Sequence, residues 1–145
     1  MFNMKTINLK FIEDFCEYPG GRSRKVSDHS AEEFYEDVLQ PKFKQAVAED
    51  SKLSVDLDGS AGYAASFLDE AFGRLGLEFG LEECKNRLEI VSTEEPYLVD
   101  EIFQSIEEWS VDGVHYNSSL AENIELKENN YFTSVKKDKW KSTSC

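Results

Sequence analysis

Three short runs of alternating polar and apolar residues are separated by segments with helical spacing, and this alternation is the strongest constraint on the fold. The runs are residues 5–12 (KTINLKFI), 52–57 (KLSVDL) and 88–91 (LEIV), and their composition predicts strands. A helical segment follows each run. This order of strand and helix, repeated three times, predicts an α/β fold in which a small mixed or parallel sheet is flanked by helices.

The first helical segment begins with a capping box. Ser30 is its predicted N-cap, and Glu33 follows three residues later, so that each side chain can bind a free backbone N–H of the other. Apolar residues then recur at helical spacing up to about Asp50. Pro41 lies inside this pattern, and we expect it to kink or split the helix because it has no N–H and crowds the preceding turn.

Two further helices are predicted from their apolar stripes. The second begins near Ala64 and stops at Gly76, a residue type that often ends helices. Residues 77–87 are expected to form a short helical or irregular link. The third helix has Thr93 as its cap and Pro96 in its first turn, where a missing N–H has no cost. Its apolar residues are Leu98, Val99, Ile102, Phe103, Ile106 and Trp109.

The chain has 145 residues, enough for a single domain with a hydrophobic core. We predict that residues 1–112 form this domain and that residues 113–145 form a C-terminal extension, because the helical pattern fades at Gly113. Within the extension, the runs NIEL and YFTSV are typical of a small hairpin, and KKDKWKSTSC is typical of a loose tail.

The formal net charge of the chain is −13, and residues 1–118 carry −14, since residues 119–145 hold four acidic and five basic side chains. Such an acidic surface repels nucleic acids and anionic membranes, so we expect the chain to bind neither. It attracts a basic protein partner instead. The alternative is that the acidic surface only keeps the protein soluble.

The cysteines and the hydropathy predict a reduced, cytoplasmic, soluble protein. Cys16, Cys84 and Cys145 are too widely spaced for a zinc site, and their odd number does not support a disulfide framework. Cys16 and Cys84 are therefore interpreted as packing residues. The first residues, MFNMKTINLKF, lack the apolar core of a signal peptide, and no run reaches the length of a membrane span.

Four carboxylates near the second strand have two interpretations. Asp56 and Asp58 project from the same side of the strand, at the edge where α/β sheets bind ligands, and with Asp69 and Glu70 they offer the oxygens that Mg²⁺ prefers. The other interpretation is structural, because Asp-Gly is a common turn and acidic residues favour the first turn of a helix. We favour the structural interpretation and predict no metal site.

Motifs of the common enzyme classes are absent from the sequence. His29 and His115 belong to no triad or HExxH pattern, and the chain has no G-x-S-x-G, GxGxxG or GxxxxGK motif. We therefore predict a chain that is not an enzyme, with no catalytic residue and no cofactor.

Two other features allow more than one role. Arg22 and Arg24 follow Pro-Gly-Gly and form the densest positive charge of the acidic domain. We expect them to pair with carboxylates of the domain, although a docking or anion-binding loop is the alternative. Ser66 stands at the predicted start of the second helix, where it is either a cap or a site that favours a phosphate.

Two longer stretches carry a resemblance to a known family. Residues 18–43, YPGGRSRKVSDHSAEEFYEDVLQPKF, followed by residues 55–75, VDLDGSAGYAASFLDEAFGRL, resemble the STAS-like α/β domain family of unknown function, which is bacterial and phage-associated. The resemblance covers residues 5 to about 110, and its most specific part is the string from Ser66 to Gly73. It implies a small sheet backed by helices and a regulatory or scaffolding role.

The resemblance also bears on Ser66. In anti-sigma-factor antagonists, a kinase phosphorylates a serine at the start of a helix and so switches partner binding. Counting from Asp56, the Asp-Ser-Ser-Gly stretch of those proteins falls on Ala64-Ala65-Ser66-Phe67. The usual acceptor position is Ala65, so Ser66 takes the neighbouring place and remains either a modified residue or a structural cap.

Three functional hypotheses follow. The first is a non-enzymatic interaction module, a component of a partner switch, that regulates an ATPase-like protein. Its predicted contact residues are Arg22, Arg24, Asp58, Gly62, Tyr63 and Ser66. The second is an acidic neutralising protein, namely an immunity protein, an antitoxin or a phage-encoded inhibitor, that binds a basic toxin or nuclease. The third is an enzyme or Mg²⁺-dependent binder that uses Asp56 and Asp58. The oligomeric state stays open.

Overall fold

The computed structural model describes residues 4–116, with side chains up to Val111. Three strands form a parallel sheet in the order β1-β2-β3, with β1 at Thr6–Lys10, β2 at Lys52–Asp56 and β3 at Leu88–Val91. The predicted α/β fold is confirmed, and the sheet is the parallel one of the two kinds considered.

Helices account for most of the other described residues, and those as far as Glu108 belong to one compact unit. The α6 helix continues beyond the predicted domain boundary at residue 112, while the predicted hairpin and tail lie outside the described residues. The helices are α1 (Phe11–Asp14), α2 (Ala31–Phe34), a π-helix (Tyr35–Leu39), α3 (Gln40–Ala48), α4 (Ala65–Phe79), α5 (Leu81–Arg87) and α6 (Leu98–Tyr116).

The two faces of the sheet differ in polarity, as the alternation in sequence predicts. On one face the side chains are buried in the core, among them Leu9, Leu53, Val55, Leu88 and Ile90. On the other face the side chains are polar and exposed or half-exposed, among them Thr6, Asn8, Ser54 and Glu89. One face of the sheet therefore organises the core.

The first helical segment confirms the capping box in part and shows how Pro41 is accommodated. The Ser30 side chain accepts a hydrogen bond from the Glu33 N–H at 3.1 Å. The chain stays helical from Ala31 to Ala48, so Pro41 does not split it. Instead the turn just before Pro41 widens into the π-helix, in which Gln40 N–H donates to Tyr35 O. This widening accommodates a residue that has no N–H of its own to donate.

The α4 helix does not end where its sequence predicts. It runs through Gly76 and ends at Phe79, and Gly80 follows it with φ of 89°. The prediction of a stop at Gly76 was therefore wrong. This glycine stands inside the helix at a position where a neighbouring helix leaves no room for a side chain. A Cβ at Gly76 would lie 2.3 Å from the backbone oxygen of Ile106 on α6. Gly76 therefore permits two helices to pack closely, and Gly80 supplies the conformation that ends the helix.

The start of α6 also differs from prediction. The helix begins at Leu98, and residues 92–97 form the preceding turn, in which Ser92 Oγ donates to Glu95 O at 2.8 Å. The prediction that Thr93 caps this helix was wrong. The Thr93 hydroxyl donates instead to Asp58, which follows the neighbouring strand.

Candidate functional site

The carboxyl ends of the three strands meet at one edge of the parallel sheet, and the segment after β2 forms the candidate site at this edge. Lys10 ends β1 and Asp56 ends β2, and these residues are register partners. The Lys10 ammonium lies 3.1 Å from Asp56 Oδ2. Asp56 Oδ1 accepts the backbone N–H of Asp58 at 2.9 Å, which begins the turn after the strand.

Asp58 ties this turn to the segment after β3. Its carboxylate accepts the Thr93 hydroxyl at 2.5 Å, the Thr93 N–H at 3.2 Å and the Glu94 N–H at 3.0 Å. These donors, led by the Thr93 hydroxyl, lower the pKa of Asp58 from its ordinary value. In return the Gly59 N–H donates to the Glu94 carboxylate at 2.9 Å. Asp58 is thus held as an ionised carboxylate that joins two loops.

These contacts bear on the magnesium hypothesis. The oxygens of Asp56 and Asp58 accept bonds from the protein's own donors. Asp69 and Glu70 lie on α4 and pair with Arg22. Among the side chains of residues 4–111, no group of three or more His, Cys, Asp or Glu has an arrangement that could hold a metal ion. The contacts agree with the structural interpretation of the carboxylates.

Tyr63 anchors the loop between β2 and α4. Its hydroxyl donates to Leu57 O at 2.7 Å, and its ring contacts Phe11 edge-on with the centroids 5.0 Å apart. Burial raises the pKa of the Tyr63 hydroxyl. Next to it, Gly62 is exposed with φ of 133°, and the space where a side chain would stand is open. Tyr63 therefore fixes the loop to the core, and the loop exposes backbone without a side chain at Gly62.

Ser66 is the second residue of α4 and is half-buried. The N-cap of the helix is Ala64, which provides no side-chain cap. The interpretation of Ser66 as the capping serine was therefore wrong, because the helix starts two residues too early for that role. Its predicted place at the start of a helix is confirmed.

Arg22 and Arg24 pair with carboxylates of the domain, as predicted. The Arg22 guanidinium lies 3.0 Å from Asp69 Oδ2 and 3.2 Å from Glu70 Oε1. Arg24 lies 3.0 Å from Glu36 and 3.6 Å from Asp37. The predicted contact residues thus fall into the loop from Asp58 to Ser66 and the two arginines. Arg22 lies beside the first turns of α4, whereas Arg24 lies beside the π-helix.

A comparison with protein-family models finds a match for part of the chain. The model described as STAS-like domain of unknown function (DUF4325) matches residues 30–98. The chain carries a STAS-like domain. The match is narrower than the resemblance predicted for residues 5 to about 110, and it omits β1 and both arginines of the site. No curated protein and no solved structure matches the chain.

Three members of the site in the STAS-like domain were missed by sequence reasoning. Thr93 and Glu94 bind Asp58 across a separation of 35 and 36 residues, and no local pattern in the sequence indicates that contact. Arg74 Nε donates to Glu70 at 2.6 Å from one helical turn away. This contact was available from the i, i+4 spacing of opposite charges.

The region that the structure describes contains the two thiols Cys16 and Cys84. Cys84 is buried, and burial raises its pKa to about 12, which agrees with its interpretation as a packing residue. Cys16 is half-buried and, like Cys84, is a free thiol. Among the helices of the described region, none is long and apolar enough to span a membrane.

Proposed function

We propose that this STAS-like domain is a non-enzymatic, cytoplasmic interaction module that regulates a partner protein through the loop from Asp58 to Ser66. The observation that supports this is the way the loop is held. Asp58 binds the segment after β3, and Tyr63 binds the end of β2, whereas Gly62 is exposed. A loop that is ordered before binding loses little conformational freedom in a complex, which favours affinity.

The proposed switch is a change of charge at Ser66. Ser66 and Asp69 are three residues apart and so share one face of α4, and Asp69 holds Arg22. A phosphate on Ser66 would be favoured by the N-terminal end of the helix and would repel Asp69 while attracting Arg22. The contact surface would then change in both charge and arrangement, which alters its affinity for a partner.

The proposed partner is an ATPase-like regulator, and affinity capture tests this proposal. Wild-type chain, Ser66→Glu and the control Ser105→Glu, which adds the same charge on α6, are used as bait with and without ATP. We expect wild type and Ser105→Glu to retain the same nucleotide-sensitive partner, and Ser66→Glu to bind it at least about tenfold more weakly or more tightly. Equal affinity of all three baits for the captured partner contradicts the switch.

The charge of the chain favours a second candidate, an acidic protein that neutralises a basic toxin or nuclease. The net charge is −13, and Glu94, Asp100 and Glu101 are exposed. A complex of this kind associates rapidly at low salt and loses association rate steeply as salt rises. Measured association rates for the captured partner separate the candidates, because the switch module predicts dependence on nucleotide and on position 66 instead.

A further inference from the structure

We propose that residues 18–29, here called the 18–29 loop, open as a unit while the sheet stays folded, and that the contacts of Arg22 with Asp69 and Glu70 control this opening. The proposal concerns the motion of the domain itself and holds whichever partner the domain binds. It rests on what the loop buries, how it is attached and which amides it protects.

The 18–29 loop contributes almost nothing to the hydrophobic core. None of its residues is buried, and its two large apolar side chains, Tyr18 and Val26, are 70% and 71% exposed. Its ends are fixed, because Glu17 O accepts the Ala61 N–H at 2.9 Å and Ser30 is fully buried. A segment with fixed ends and little apolar burial is typical of a unit that opens locally at low free energy.

Ion pairs therefore provide much of the attachment of the 18–29 loop, and they are unequal. Arg24 pairs with Glu36 and Asp37, which are exposed, so these contacts contribute little. Arg22 binds Glu70, which is only 8% exposed, together with Asp69. Because a buried carboxylate depends strongly on its partners, the Arg22 contact is the stronger attachment.

The closed loop also caps α2. Gly21 O accepts the Ala31 N–H at 2.8 Å, and Arg22 O accepts the Glu32 N–H at 3.0 Å. Within the loop, the Gly20 N–H donates to His29 O at 2.9 Å. The first N–H groups of a helix have no partner within it, so the loop protects them. The amides of Gly20, Ala31 and Glu32 therefore report on the opening.

Opening changes the surface at the start of α4. In the closed form the Arg22 guanidinium covers Asp69 and Glu70, next to the turn that contains Ser66. In the open form both carboxylates lose Arg22 while Glu70 keeps its bond to Arg74 at 2.6 Å, so the surface beside Ser66 becomes more negative and more attractive to a basic group of a partner protein. This consequence for binding depends on the proposed function, whereas the opening itself does not.

Native-state hydrogen exchange, followed by NMR on the full chain, tests the opening. The variants are Arg22→Gln and the matched control Lys25→Gln, which removes the same charge from the same loop. Lys25 is exposed and takes part in none of the ion pairs among the side chains that the structure describes, up to Val111. We expect Arg22→Gln to speed exchange of the Gly20, Ala31 and Glu32 amides by about tenfold, with exchange in β2 unchanged. Lys25→Gln should leave all of these rates at wild-type values.

Two results would overturn the proposal. One is equal exchange rates for the loop amides in Arg22→Gln and Lys25→Gln. The other comes from the wild-type chain alone and does not depend on whether a variant folds. Raising NaCl from about 0.05 to about 0.5 M screens the ion pairs, and exchange of the loop amides should then speed up relative to β2. A loop whose amides exchange only together with those of β2, at both salt concentrations, does not open as a unit.

Discussion

Replacing Gly76 with alanine tests the packing of α4 against α6, because local and tertiary reasoning predict opposite signs. Inside a helix, alanine is favoured over glycine by about 1 kcal/mol. The sequence alone therefore predicts a more stable protein. In the structure, a Cβ at position 76 would lie 2.3 Å from the backbone oxygen of Ile106 and 2.9 Å from its Cα.

The magnitude follows from the displacement that the new methyl group requires. Ordinary contacts of a Cβ begin at 3.4 Å, so α6 must move by about 1 Å at its closest approach to α4. Overpacking of this kind costs about 1–3 kcal/mol, and the backbone atoms of Ile106 cannot rotate away as a side chain can. Because backbone atoms cannot give way, we take the upper part of this range, about 2–3 kcal/mol. After about 1 kcal/mol of helix propensity is subtracted, we expect Gly76→Ala to lower the free energy of unfolding by about 1–2 kcal/mol.

Urea denaturation followed by circular dichroism measures this change. The midpoint should fall while the slope stays constant, since the surface exposed on unfolding is nearly the same. Ile106→Ala serves as a control, because the clash involves the backbone of Ile106. Truncating that side chain should not rescue Gly76→Ala in a double-mutant cycle. A Gly76→Ala protein as stable as the wild type, or more stable, would refute the close approach of the two helices.

Two further predictions concern carboxylates. Thr93→Val removes the hydroxyl that lowers the pKa of Asp58, so the folded pKa should rise toward about 3.9. A lowered folded pKa stabilises the protein above pH about 3.9, and this stability is lost as the pH falls through the folded value. The variant should therefore lose that contribution, and an unchanged Asp58 pKa in a ¹³C NMR titration argues against the contact. Glu70→Ala should lower the free energy of unfolding by about 1–3 kcal/mol, and the exposed control Glu36→Ala by less than about 1 kcal/mol. Equal losses in urea denaturation would show that burial of Glu70 does not matter.

Local signals predicted the elements of the fold well. The β3 strand has its predicted bounds, and β2 ends one residue before its prediction, because an alternating pattern depends only on neighbouring residues. The strand predicted for residues 5–12 ends at Lys10, and Phe11 and Ile12 belong to α1 instead. The bond from Glu33 N–H to Ser30 was also predictable, since both residues lie within one turn. Gly76 shows the limit of such signals. A glycine near the end of a helical pattern suggests that the helix stops there. Only the packing of α6 against α4 shows that Gly76 is needed inside the helix.

The sequence predicted which kinds of side chain form the candidate site, but only some of the contacts between them. The charge of Arg22 in an acidic domain indicated a carboxylate partner, and the structure identifies Asp69 and Glu70, which are 47 and 48 residues away. The position of Asp58 at the end of a strand was also predictable. Its partner Thr93 was assigned to a helix cap instead, because the meeting of two strand ends depends on how the sheet is assembled.

By itself, the sequence determined the strands, the capped first helix, the acidic surface and the STAS-like resemblance, which is shown for residues 30–98. These features follow from the spacing and chemistry of residues that are close along the chain. Only the tertiary structure decided that the sheet is parallel, that Asp58 binds the Thr93 loop and that Gly76 lies against Ile106. Each of these depends on contacts between residues about 30 or more positions apart, and such contacts form only when the core brings the segments together.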